Sequence, residues 1–119
     1  LREAERTRQP VILLGTAFGF AAFLQELNGQ AVRFHLPSGS AVMETGGFKG
    51  RTVEIPRAEF HQSLSDTFAV PLSHVVNEYG MTELTSQFYD QSWIEGKPTA
   101  RKAMTPTARV SAVDPMTGK

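Results

Sequence analysis

Apolar residues along this chain fall into short unbroken runs alternating with stretches of helical spacing. Val11-Ile12-Leu13-Leu14 lies between Pro10 and Gly15. A β-favouring run of that kind without polar alternation predicts a strand covered on both faces of a parallel sheet. Over residues 18–28, Phe20, Phe23, Leu24 and Leu27 recur at the spacing of one helix face, and Gly29 stands where a left-handed cap would end the helix. Residues 31–34 read as a short extended segment, and Pro37-Ser38-Gly39-Ser40 as a turn. Ala41-Val42-Met43-Glu44 is a second core strand running out into Thr45-Gly46-Gly47, and residues 48–54 form a loop.

The clearest helix spans residues 55–68. Pro56 suits its first turn, and Phe60, Leu64 and Phe68 stand four residues apart on one face. Pro71 ends it, and Ser73-His74-Val75-Val76 reads as a third buried strand leading into a turn at Tyr79. Residues 83–89 read as the start of another helix or half-turn. Residues 108–113 alternate as a late strand, with Asp114-Pro115-Met116-Thr117-Gly118 as a turn. The order β-α-β-α-β followed by a further strand predicts an α/β fold, with a mainly parallel sheet, flanking helices and right-handed crossovers.

With 119 residues, 40% of them hydrophobic, the chain suffices for one core and not for two. Twelve basic residues balance twelve acidic ones, so no general field draws in nucleic acid or an anionic membrane, and any anion must be bound locally. No cysteine is present, which excludes disulfides, thiolate metal sites and a cysteine nucleophile within these residues and fits a reducing, cytoplasmic setting. The longest apolar stretch, residues 11–24, is broken by Gly15, Thr16 and Gly19 and is too short to span a bilayer. The charged start, without initiator methionine or signal pattern, reads as a cut inside a larger protein.

Candidate chemistry concentrates in Asn77-Glu78-Tyr79-Gly80-Met81-Thr82-Glu83-Leu84. From Tyr79 to Glu83 it brings together an aromatic face, a glycine, a hydroxyl and a carboxylate. Placed at the carboxyl end of a strand, where open α/β sheets bind ligands, these suit a nucleotide and its magnesium. Gly46 and Gly47 end a neighbouring strand and permit close backbone approach to a flat base. Tyr79 offers a ring for stacking, Thr82 a hydroxyl for a phosphate oxygen, and Glu83 a hard-oxygen ligand. Lys49 and Arg51 read as ordinary loop charges within reach of phosphate, and His61 as a solvated histidine on a helix face. His74 reads as a polar residue at a strand entrance, and His35 has no ligand partner at metal spacing. Trp93 reads as a partly buried anchor, and Phe18, Phe20 and Phe23 as core aromatics that could border an acyl tunnel.

Tyr79-Gly80-Met81-Thr82-Glu83 resembles the fifth core motif of the adenylate-forming superfamily of acyl-CoA synthetases and adenylation domains. The wider context is similar to the acyl-protein synthetases, the fatty-acid-activating components of the bacterial luminescence fatty-acid reductase complex. The matching segments are Met43-Glu44-Thr45-Gly46-Gly47-Phe48-Lys49-Gly50-Arg51, the helix after it, the Tyr79 motif, Ser86-Gln87-Phe88-Tyr89, and residues 109–118. The resemblance covers the chain from about residue 11 onward.

It implies ATP- and Mg2+-dependent activation of a long-chain fatty acid or related carboxylate to an acyl-adenylate, then transfer to a protein thiol, with a reductase subunit as possible partner. Under it, Gly46, Gly47 and Phe48 line the adenine, Tyr79 stacks on it, Gly80 and Met81 shape the adjacent entrance, Thr82 binds the α-phosphate, and Glu83 holds the metal. Thr82 and Glu83 are the catalytic pair. The superfamily's glycine-rich phosphate loop, ribose-binding aspartate, C-terminal lysine and acceptor cysteine have no counterpart here. The expectation is therefore a single partial domain over residues 1–119, the central part of a nucleotide-binding domain, with residues 97–119 less ordered. An aryl- or acyl-CoA ligase related to phenylacetate-CoA ligase is the alternative enzyme. A noncatalytic nucleotide-binding or interaction module is the alternative class, which an exposed apolar sheet face would favour.

Overall fold

The structure, a computed structural model, describes residues 1–47, 55–81, 86–111 and 113–118. Its helices are α1 (Arg2–Thr7), α2 (Ala17–Gly29), α3 (Arg57–Phe68) and α4 (Ser92–Glu95). Strands β1 (Ile12–Thr16), β2 (Ala41–Thr45) and β3 (Val75–Tyr79) run parallel, side by side in that order, and β4 (Phe88–Tyr89) pairs antiparallel with β3. The α/β architecture with a mainly parallel sheet is the one the hydrophobic pattern predicts.

Register sets the core. Leu13 pairs with Val42 and Val42 with Val75, so these side chains share a face. Onto it pack Phe20, Leu24 and Leu27 of α2 and Phe60, Leu64 and Phe68 of α3, together with Phe34, Leu36 and Val70. Phe68 sits between two further rings, stacked with Phe23 and with Phe34 at centroid distances of 6.1 Å each. The four-residue spacing of the α3 aromatics and leucine thus marks its buried face, and Pro56 precedes the first helical residue.

Several expectations are corrected. The apolar run of β1 is covered on one face only: Ile12 and Leu14 are 60% and 66% exposed among the described residues. Gly29 is the last residue of α2 and does not cap it. Ala31 takes the left-handed conformation instead (φ 53°), with Ala31 N–H donating to Asn28 C=O and Val32 N–H to Leu27 C=O, a Schellman closure. Residues 32–36 join no strand. Phe34 and Leu36 N–H bond the carbonyls of Thr67 and Phe68, which the end of α3 leaves without helical partners. The third strand starts later than its sequence suggests, because residues 72–74 form a 3-10 turn after Pro71 and β3 runs on through Tyr79. Phe88 and Tyr89 are a strand and not helix, while residues 82–85 lie outside the described residues. Residues 108–111 and 113 form no strand, although the Asp114 turn is present, with Gly118 N–H on Asp114 C=O at 2.8 Å.

Helix α1 docks on this unit through Glu5, whose carboxylate accepts from the His35 backbone N–H. Arg2, paired with Glu5 at 2.9 Å, lies over the Phe34 ring at 4.6 Å. The His35 N–H holds the Glu5 carboxyl below its usual range, against the opposing effect of burial and with help from Arg2. A carboxyl depressed in the folded state stabilises above its unfolded-state pKa, and that contribution is lost as pH falls through the lower folded value. The side-chain carboxyl resonance of Glu5 is therefore expected to titrate below the ordinary glutamate range. A Glu5 midpoint in the ordinary glutamate range would refute the docking contact.

Candidate functional site

Because β2 and β3 are parallel and Thr45 lies level with Glu78, the next residues along each strand, Gly46 and Tyr79, emerge together at the same carboxyl edge. Gly46 has φ 76°, a conformation that favours glycine, and side-chain carbons built at Gly46 or Gly47 would meet nothing described within 4 Å. Among the described residues, a strip of open backbone therefore lies beside Tyr79. That residue closes β3 and is 51% exposed, with its ring against the buried Phe88 of β4 (centroids 6.4 Å apart, tilted by 41°). Tyr79 is a strand residue rather than a turn residue, and the antiparallel partner gives its ring a buttress that the sequence did not reveal.

At Gly80, which follows, a β-carbon would meet the Glu78 carboxylate, which would have to shift to admit it. Glu78 is buried and accepts from the Thr45 hydroxyl, tying the two strand ends together on the far side of the sheet. Met81 is exposed beyond it. Of the sequence-derived site residues, the structure brings Gly46, Gly47, Tyr79, Gly80 and Met81 to one edge. Phe48, Thr82 and Glu83, with Lys49 and Arg51, lie outside the described residues. Among the described residues, no group of three or more His, Cys, Asp or Glu side chains could hold a metal ion.

Beneath this edge lies a set of buried polar contacts that the sequence reading missed. Glu44, two residues before Gly46, accepts through Oε1 from Asn77 Nδ2 (2.9 Å) and from His61 Nε2 (3.0 Å), while its Oε2 is buried with no partner among the described residues. Asn77, two residues before Tyr79, also accepts at Oδ1 and at its backbone carbonyl (2.9 Å) from the Lys102 ammonium. Lys102 lies 3.1 Å from Asp90 Oδ1, a Coulombic contact off the line of a hydrogen bond. Asp90 Oδ2 accepts from Asn77 N–H (2.9 Å) and from Arg57. Arg57 and His61 are one turn apart on α3, so the contacts close into a ring. His61 is thereby corrected: its side chain is 12% exposed and bonded to a buried carboxylate, not solvated. A histidine at i+4 from an arginine beside the core face of α3 was the available signal; its partners, 17 or more residues away, were not.

His74 is the polar residue at a strand entrance that its position suggested. Nδ1 donates to the Ser40 carbonyl at 2.9 Å and its ring stacks on Trp93 at 4.5 Å, at the opposite end of β3 from Tyr79. Phe18, in the first turn of α2, lines a cleft of about 630 Å³ with Ala21, Leu24, Ile55 and Phe60, while Phe20 is core. No described helix is long and apolar enough to cross a membrane. No protein-family model, curated protein or solved structure matches the chain.

Proposed function

We propose that this chain carries the adenine- and magnesium-binding edge of an enzyme that activates a carboxylic acid with ATP and passes the acyl group to a protein thiol. The observation that carries the reading is the juxtaposition of the open Gly46-Gly47 backbone with the exposed Tyr79 ring at one edge of parallel strands. A purine can lie with one face on the ring and an edge along backbone that no described side chain obstructs. Thr82 and Glu83 continue from that edge in sequence. In this reading the Thr82 hydroxyl would bind the α-phosphate and Glu83 would hold Mg2+, which would supply charge stabilisation for displacement of pyrophosphate by the substrate carboxylate. The Phe18 cleft, which runs along α2 beside the first half of α3, suits a lipophilic carboxylate such as a fatty acid. A reductase subunit would be a fitting partner, and the cytoplasm a fitting location.

The test is calorimetric titration of this chain with ATP, with and without magnesium, beside Tyr79→Ala. The variant is expected to weaken binding by about 1–3 kcal/mol, the range of aromatic stacking on a base. Equal affinity of the two proteins would remove Tyr79 from the site, and absence of binding by the folded chain would remove the nucleotide reading.

A second reading, an interaction module, draws on the exposed Ile12 and Leu14 of the edge strand β1. Such a surface favours burial against another sheet element or protein. Absence of ATP binding combined with self-association or partner capture abolished by Ile12→Lys would support it.

A further inference from the structure

We propose that Lys102 is a positioning residue for Tyr79, acting from a segment that carries no part of the candidate nucleotide edge; the inference rests on the nucleotide reading above. The Lys102 ammonium is the point where three pieces of backbone meet. It donates to the carbonyl and side chain of Asn77 on β3, and it faces Asp90, whose other oxygen receives the Asn77 N–H and Arg57 of α3. Asn77 lies two residues before Tyr79 on the same strand face, and Asp90 lies two residues after Phe88, the ring against Tyr79. The ammonium therefore fixes β4 against β3 at the step just before the aromatic pair. Through Asn77 Nδ2 and Glu44 the same set of bonds reaches the strand that ends in Gly46.

The segment bearing Lys102 is itself held as a strap beside β4. Residues 90 and 102 form an antiparallel bridge, Ala103 N–H bonds Tyr89 C=O at 2.7 Å, and Gln91 N–H bonds Arg101 C=O at 2.9 Å. The Ser92 hydroxyl both donates to and accepts from the Thr99 backbone at 3.0 Å. β4 has only two residues, too few to hold a two-stranded edge by themselves. The strap supplies its second neighbour, and Lys102 supplies the charge that the buried Asp90 needs. Arg57 alone cannot do both, because it reaches only Asp90 Oδ2 from the helix side.

A double-mutant cycle on the full chain tests this. Lys102→Met, Tyr79→Ala and the double variant are titrated with Mg2+ and ATP, with melting temperature measured in parallel. Lys102→Met alone is expected to weaken binding about tenfold, and to add almost nothing in the Tyr79→Ala background, because residues that act as one unit are not additive. A loss of the same size in both backgrounds, or a lowered melting temperature with unchanged affinity, would overturn the proposal.

If Lys102→Met does not fold, Lys102→Arg decides by the same cycle. It keeps the charge beside Asp90, but it replaces the ammonium's compact point of donation to the two Asn77 oxygens with a larger, rigid planar fork. If the wild-type chain binds no ATP, the nucleotide reading fails separately. The positioning of Tyr79 is then judged from its ring resonances, which must move in Lys102→Arg; unchanged resonances would overturn it.

Discussion

Asp90→Ala is expected to destabilise the protein by about 2–4 kcal/mol, because removing one partner of a buried ion pair strands the others. The Asp90 side chain is 1% exposed and serves Arg57, Lys102 and the Asn77 N–H at once. The loss is held below the top of the range for such pairs because Arg57 and Lys102 retain partial access to water and can turn toward it. The Asn77 N–H has no such freedom, since it is fixed on the backbone of β3 and its acceptor is the Asp90 side chain itself. Asp90→Asn separates the two contributions: it keeps an acceptor for the N–H and gives up the charge. Urea unfolding with a common m-value should place Asp90→Asn between wild type and alanine. An alanine variant as stable as wild type would mean that the ring contributes nothing to the fold, and would weaken the case for Lys102 as well.

The contrast between α3 and β1 shows what a local pattern encodes. Helix periodicity reports one face, so Phe60, Leu64 and Phe68 could be assigned to the core from spacing alone, and all three are buried. An unbroken apolar run reports only that no position is polar. Val11-Ile12-Leu13-Leu14 therefore predicted cover on both sides, while the structure covers the Leu13 side and leaves Ile12 and Leu14 open. Boundaries shifted for similar reasons. Pro71 was readable as a helix stop, but the 3-10 turn it opens consumed residues 72–74 and pushed β3 forward to end at Tyr79.

The candidate site was legible where it depends on neighbouring residues, and not where it depends on distant ones. That Gly46 and Tyr79 share an edge follows from reading two parallel strands, and the register bears it out. The ring beneath that edge joins positions 44, 57, 61, 77, 90 and 102, each an ordinary polar residue in its own sequence context. Only the pairing of β4 with β3, and of the strap with β4, brings them together. The pattern of residues 83–89 predicts a helix start, which leaves Asp90 and Lys102 without a strand to share.

Phe68→Ala should produce the largest stability loss of any single core truncation here, about 3–5 kcal/mol, the cost of removing a buried ring and leaving a cavity. Phe68 is fully buried, and it stacks on Phe23 of α2 and Phe34 of the 32–36 segment. Its own backbone carbonyl also receives the Leu36 N–H, so one residue joins α2, α3 and that segment by two kinds of contact. Neighbouring rings cannot close the gap without moving backbones that hydrogen bonds fix, so relaxation recovers little of the loss. For a domain whose whole stability is of order 5–15 kcal/mol, the variant would be partly unfolded at ordinary temperature. Phe23→Ala, at a ring with substantial solvent exposure, is the internal comparison and should cost markedly less. Urea midpoints for the two variants would decide the matter. If Phe23→Ala proved as costly as Phe68→Ala, or if Phe68→Ala cost under about 1 kcal/mol, the centre of the core would lie elsewhere than between α2, α3 and the sheet.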